Sequence, residues 1–250
     1  YKSLEKHNNL FDEINALRHS ILITKLALEE VMKKMKSFTN EKEAQAFFEE
    51  RIASLGHART SFPTIAAAGF NATTLHYSDN NQQFNNEDMI LMDLGACIDY
   101  YNADITRTYP HFGKYSELQK TIYNIVLDCN KKIIKLIKPG ITIKFLQDQT
   151  KKILYEGLKR NDLIENEDEL IEYYFHNISH HLGLDTHDPM DRLVPLQEGN
   201  VITVEPGLYI RKLGIGIRIE DDVLVTSTGS ENLSKDIIKE IDDIEAFMKE

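Results

Sequence analysis

Two stretches of this chain follow the same plan, and they limit its fold more than anything else in the sequence. MDLGACIDYYNADITRTYP, ending at Pro110, and VITVEPGLYIRKLGIGIRIEDDVLVT, beginning at Val201, each read as two strands around a short turn. Each also follows a pair of helical patterns. Ile14, Leu17, Ile21, Leu22, Leu28, Val31, Met32 and Met35 mark an amphipathic helix over residues 11–36, its methionines serving as core filler. A second helix, capped at Thr39 or Asn40, carries Ala44, Phe47, Phe48, Ile52 and Leu55 inward. Helical spacing returns over residues 116–137, stops at Lys138-Pro139-Gly140, and resumes over about 142–160. AAAGFNATTLHYSDN reads as a strand, a polar turn and a second short strand. Residues 161–172 are acidic and looser, and IEAFM closes the chain as a short helix.

The order helices, strands, helices, strands points to an α+β fold rather than a doubly wound sheet. No linker rich in Pro, Gly or Ser separates the halves, so residues 1–250 read as a single domain of two similar lobes. The formal charge of −11 repels nucleic acid and anionic membrane, so neither is an expected partner. Cys97 and Cys129 are too few for a disulfide scaffold and read as buried thiols of a reducing, cytoplasmic compartment. The sequence shows no apolar run long enough for a membrane span, and its first thirty residues lack the short apolar core expected of a secretion signal. Its first residue is Tyr, which leads us to expect that something upstream was removed.

The strand pairs carry acids in unusual places. A hairpin centred at residues 98 and 99 sets Asp93 directly opposite Asp104, on one face and among apolar neighbours. A turn near Lys212 and Leu213 sets Glu205 opposite Glu220, although Pro206 and Gly207 invite a bulge there. Paired buried carboxylates repel and lose hydration, which a divalent cation would remedy. Arg107 and Arg218 lie near enough in sequence to offset part of the charge, so a structural ion network is the competing reading. HNISHHLGLDTHD adds His176, His180, His181 and His187, out of nine histidines in the chain. Oxygen ligands with an imidazole suit Mn, Co, Fe or Zn, and two such ions can share carboxylates and activate a water.

TLHYSDN, MDLGACIDYYNADITRTYP, HNISHHLGLDTHD, TVEPGLYI and GIGIRIEDDVLVT together resemble, in order and spacing, the catalytic domain of the Xaa-Pro aminopeptidases (aminopeptidase P). These belong to the metallopeptidases of pita-bread fold, and the likeness runs nearly the length of the chain. It implies two pseudo-symmetric lobes with a curved antiparallel sheet and outer helices. It also implies two divalent metal ions, expected to be Mn with Co or Zn as alternatives, held by Asp93, Asp104, His180, Glu205 and Glu220. Glu205 would also relay a proton, His187 would meet the scissile carbonyl, His76 the proline-side amide, and His176 would line the substrate site. Arg218 would support the ligands from behind. His181 stands where the familiar bacterial pattern has tryptophan, which bears on the outer wall of the pocket. Tyr100, Tyr101 and Tyr209 are candidates for packing on the proline ring.

The implied reaction is release of the N-terminal residue from peptides with proline second. Xaa-Pro dipeptidase is the near alternative, with methionine aminopeptidase and a noncatalytic pita-bread binding protein further off. Longer members of the family carry an additional N-terminal domain that nothing in residues 1–62 resembles, so a homo-oligomer is left open as an expectation.

Overall fold

The computed structural model describes residues 3–249; positions 1, 2 and 250 of the expected single domain lie outside the described residues. The first lobe opens with α1 (Ser3–Lys34) and α2 (Glu41–Gly56), which pack on each other. Asn40, not Thr39, caps α2, its side chain accepting a bond from the Glu43 N–H. Leu17, Ile21, Leu28, Val31, Met32 and Met35 are buried along α1, whereas Leu22 is exposed and falls off the stripe.

Six short strands follow: β1 (Arg59–Thr60), β2 (Ile65–Ala68), β3 (Met89–Leu94), β4 (Ala96–Ile98), β5 (Tyr101–Asn102) and β6 (Ile105–Pro110). The second lobe repeats the plan. It has α3 (Glu117–Leu136) and α4 (Ile143–Arg160), then β7 (Val201–Val204), β8 (Gly207–Ile210), β9 (Ile215–Arg218), β10 (Asp221–Val225) and β11 (Ser230–Asn232), and closes with α5 (Ile241–Phe247). All the strand pairings are antiparallel, in the orders β2-β3-β6, β1-β4-β5, β11-β10-β7 and β8-β9. Helices cover the sheets and one contiguous apolar core joins both lobes, as an α+β fold requires.

The lobes share one further feature. In each, a long hairpin is broken partway into two ladders: β3–β6 and β4–β5 in the first lobe, β7–β10 and β8–β9 in the second. The four acids picked out in the sequence sit at or beside these breaks, where the backbone leaves its regular pairing.

The first hairpin corrects the expected register. Asp99 and Tyr100 form a two-residue turn with φ of 50° and 71°, both left-handed, between paired Ile98 and Tyr101. The centre therefore lies between residues 99 and 100, and Asp93 faces Thr106 rather than Asp104. Asp104 lies two residues further along the same face, diagonal to Asp93. The second hairpin follows the expected register: Val204 pairs with Asp221 and Gly207 with Arg218, which sets Glu205 across from Glu220 in the gap between the ladders.

Two other expectations change. Residues 74–80 form no second strand; the chain passes through a 3-10 turn at Gly69–Thr73 into irregular structure, and the outer edge of β2 is taken instead by side chains, its Ala66 and Ala68 N–H groups donating to Asn80 and Glu41. Within the loose acidic stretch, Glu167–Glu172 winds into a 3-10 turn. The lobes meet closely: a Cβ on Gly216 in β9 would stand 1.9 Å from the Ala72 carbonyl oxygen, so only glycine lets the second hairpin rest on that turn. Among the described residues no helix is long and apolar enough to cross a membrane.

Candidate metal centre

The two broken hairpins are bonded to each other where they break. The Glu220 N–H donates to the Thr106 carbonyl at 3.0 Å, and the Asp104 N–H donates to Asp222 Oδ2 at 3.2 Å. Thr108 Oγ1 accepts from the Arg218 N–H at 3.2 Å and donates to the Arg218 carbonyl at 3.0 Å. Asp93 and Asp104 are thereby brought face to face with Glu205 and Glu220.

His180 arrives from a third direction. Residues 178–182 run antiparallel beside β7, with the Glu205, Thr203 and Leu182 N–H groups donating to Ile178, His180 and Val201 carbonyls. In that register His180 lies opposite Thr203, on the face that carries Glu205, and His181 opposite Ile202, on the other. His180 Nε2 stands 3.3 Å from Asp104 Oδ2 and 3.6 Å from Glu205 Oε1. Its Nδ1 is 3.0 Å from the His181 carbonyl, a bond that places a proton on Nδ1 and leaves Nε2 free as a ligand. Oxygen or nitrogen atoms of Asp104, His180 and Glu220 all lie within 4.8 Å of one another, a grouping able to hold a metal ion.

Arg218, His180 and His176 are basic groups that stand within 4.0 Å of these acids. Arg218 Nη2 donates to Asp93 Oδ2 at 2.5 Å, and its Nε lies 4.0 Å from Glu220 Oε2. Thr106 Oγ1 sits between, accepting from Arg218 Nε at 3.0 Å and donating to Glu220 Oε2 at 2.6 Å. Burial drives the Asp104 and Glu220 carboxyls well above the usual carboxylate range; Asp93 and Asp222 add to it at Asp104, and Asp104 and Glu205 at Glu220. Burial also raises Glu205, against the pull of His180 and Arg218. Asp93 Oδ1 is buried with no hydrogen-bond partner. A buried lone pair without a donor, inside a set of carboxylates and one imidazole, is what a divalent cation would satisfy; the residues fit such an ion. Arg107 does not share in this neutralisation. It lies on the opposite face of β6, fully buried, with Nη2 2.7 Å from Asp221 Oδ1.

The other expected residues separate into two groups. His76 and His187 line the same 340 Å³ cleft as Asp93, Asp104, His180, Glu205, Arg218 and Glu220. The His187 ring meets that of His180 edge-on at 4.3 Å, and burial with the nearby His180 and His76 lowers its pKa. His176 borders only an adjoining 630 Å³ cleft, and both of its ring nitrogens are engaged. Nδ1 lies 2.8 Å from the Asn177 carbonyl and Nε2 3.0 Å from Tyr209 Oη, which itself accepts from Arg218 Nη1 at 2.9 Å. Burial, with Arg218 nearby, lowers its pKa to about 3, so the ring is a neutral bracket for Tyr209.

His181 borders neither of these clefts; it lines a 220 Å³ cavity against α1. Tyr100 and Tyr101 are also absent from both clefts, since Tyr100 sits exposed at the hairpin turn and Tyr101 follows it in β5. Tyr209 is buried behind Arg218. The apolar walls are instead Phe62, Pro63, Leu75 and Tyr77 on one side and Ile171, Tyr174, Phe175 and Met190 on the other. None belongs to a periodic element; adjacency to His76 and His176 was the only sequence signal for Leu75, Tyr77 and Phe175.

Comparison with known proteins agrees with this geometry. The model of metallopeptidase family M24 matches residues 15–227. The chain is 38% identical over 248 residues to the mitochondrial intermediate cleaving peptidase 55 of Arabidopsis thaliana, covering 94% of this chain and 50% of that protein. It is 36% identical over 256 residues to the Xaa-Pro aminopeptidase of Escherichia coli, covering 95% and 58%. A provisionally assigned aminopeptidase P from Bacillus anthracis superposes with a TM-score of 0.93 at 50% identity, covering 95% of this chain and 57% of that one. The chain thus spans about half the length of the curated relatives it matches. The expected pita-bread architecture is that of these structures.

Proposed function

Because the chain belongs to metallopeptidase family M24, we propose that it is the catalytic part of a metal-dependent Xaa-Pro aminopeptidase, releasing the N-terminal residue of peptides with proline at the second position. The observation that carries this reading is that Asp93, Asp104, His180, Glu205 and Glu220 all line one cleft, with His76 and His187 beside them. On this reading the five residues would hold two divalent ions, with Mn the expected metal and Co or Zn the alternatives. Such ions acidify a water and polarise a carbonyl.

The protein's own groups do the rest. Asp93 is oriented by Arg218, and Glu220 by the Thr106 hydroxyl. Glu205, whose pKa burial raises, accepts a proton at its carboxylate as the water attacks. His187 donates to the oxygen of the scissile carbonyl, where negative charge develops. His76 meets the proline-side nitrogen and protonates it as it leaves. His176 acts one step removed, by fixing Tyr209 and through it Arg218. The bond before proline carries no N–H, so a pocket that grips the ring by shape distinguishes these peptides; Phe62, Pro63 and Tyr77 are the apolar candidates for that grip.

We further read residues 1–250 as one catalytic domain that works in the cytoplasm and is open to self-association, with peptides rather than nucleic acid or membrane as its partners. Support for this is the negative charge and the two free thiols Cys97 and Cys129, both buried.

The test is turnover by metal-stripped protein refilled with Mn, Co or Zn, against Xaa-Pro, Xaa-Pro-Xaa and Met-Ala-Xaa peptides. Metal-restored cleavage of Xaa-Pro-Xaa is expected. Cleavage of only the free dipeptide would make it an Xaa-Pro dipeptidase, and cleavage of only Met-Ala-Xaa a methionine aminopeptidase. Protein that binds no divalent ion and cleaves nothing would return the noncatalytic reading.

A further inference from the structure

The segment that carries His76 has a fastening of its own. His76 is exposed in the cleft, and its imidazole has no hydrogen-bond partner among the described residues. Between the Thr74 N–H, which donates to the Asn71 carbonyl, and Gln82, no backbone-to-backbone bond ties the chain to another segment among the described residues. The place of His76 is therefore set by side chains that grip its neighbours: Asn80 accepts from the Ala66 N–H and donates to the Thr64 carbonyl and to Gln45, and Glu41 holds Tyr77, the residue next to His76.

Glu41 is fully buried, and its carboxylate accepts four hydrogen bonds, all from this region. Oε1 receives the Ala68 N–H at 2.7 Å and Asn71 Nδ2 at 3.0 Å. Oε2 receives the Tyr77 hydroxyl at 2.7 Å and the Gln82 N–H at 2.8 Å. One carboxylate thus holds both ends of residues 68–82 and the residue next to His76. A plainer role would be to place negative charge at the start of α2, where Glu41 is the first residue. That duty falls to Asn40, whose side chain accepts from the Glu43 N–H, while Glu41 spends none of its bonds on its own helix. Burying a carboxylate with no cation beside it is costly, and only strong donors offset the cost. Here the donors are the His76 segment itself.

We propose that Glu41 is a positioning residue for the reaction: acting through Tyr77, its carboxylate sets where His76 stands in the cleft. This rests on the reading of His76 as a group that meets the substrate. The experiment is a double-mutant cycle on the metal-loaded protein, using Tyr77→Phe and His76→Ala, with Glu41→Gln alongside. Tyr77→Phe deletes one hydroxyl, which also accepts from Asn71 Nδ2 at 2.9 Å, but leaves the bonds of Glu41 to Ala68, Asn71 and Gln82, so the fold is retained. It is expected to lower kcat/KM on an Xaa-Pro-Xaa peptide by about tenfold, and by less than about twofold once His76 is already alanine. Glu41→Gln turns an amide toward one pair of donors; it is expected to cost about a hundredfold and to speed amide hydrogen exchange across residues 74–82. Equal losses from Tyr77→Phe in both backgrounds, or none in either, would overturn the inference alone. Wild-type turnover by His76→Ala would overturn both it and the reading of His76.

Discussion

Glu205 and His176 lie 3.7 Å apart, yet their surroundings assign them different work. Glu205 keeps an oxygen toward His180 and takes only a 3.2 Å bond from Thr203 Oγ1, so it is free to exchange a proton. Glu205→Gln should lower kcat by roughly a hundred- to ten-thousandfold while the melting temperature of the metal-loaded protein changes little, as steady-state kinetics and calorimetry would show. His176 has neither nitrogen to spare. With its pKa pushed down to about 3, its ring should stay neutral between about pH 5 and pH 8 in an NMR titration, and the pH–rate profile should carry no contribution from it. The resemblance identified His176 as a lining group, and it does border a cleft. Its partners, Tyr209 and the Asn177 carbonyl, were not legible because they depend on how β8 and β9 stack beneath residues 173–177. His180 against His181 shows the opposite. Once residues 178–182 run beside β7, strand alternation alone separates the two rings, but that added pairing has no strand-like signature in ISHHL.

Among the elements, the broken hairpins decide what the acids can do. The second register was legible because the turn at Arg211–Leu213 keeps Gly207 opposite Arg218 and Val204 opposite Asp221, even across the gap. The first was misjudged by a single turn position, since a tyrosine at φ 71° is not what left-handed backbone ordinarily selects. The error preserved the shared face and lost only the directness of the pairing. Arg107 shows what alternation along β6 does: Thr106 and Thr108 face the metal centre, and Arg107 faces away. There its guanidinium donates to the Glu220, Ile237 and Ile238 carbonyls and to Asp221, which Lys239 also contacts. Burial works against charge on Asp221, but Arg107 and Lys239 outweigh it and hold its carboxyl below the usual range. Arg107→Met should cost about 3–5 kcal/mol in urea unfolding, because it strands a buried carboxylate and several carbonyls together. A loss near zero would mean that Lys239 alone suffices.

For the whole molecule, the cluster of acids proposed to hold metal is an electrostatic burden. Without ions, Asp104 and Glu220 hold their protons to higher pH than they would in the unfolded chain. A raised folded pKa contributes stability that is complete below the unfolded value near 4 and is lost as pH rises through the folded value. Chelator-treated protein should therefore be more stable at about pH 5 than at about pH 8 by thermal melting. Adding a divalent ion at about a hundred times its dissociation constant should restore about 2.7 kcal/mol at the higher pH. No response to the ion would count against the proposed ligand set. The order of elements, the α+β class and the ligand candidates could be read from the chain. The seating of one lobe on the other could not, since it depends on contacts such as Gly216 against Ala72 that leave no periodic trace.

Asp104 and Asp222, bonded across the lobes, are 118 residues apart in the chain. An ion gripped by Asp104 and Glu220 would close a loop of nearly that size, as a covalent cross-link does, and the chain could not come apart without first surrendering it. The durability of the loaded protein should therefore show less in its melting point than in how slowly it lets go, with the dissociation of the cation acting as the clock.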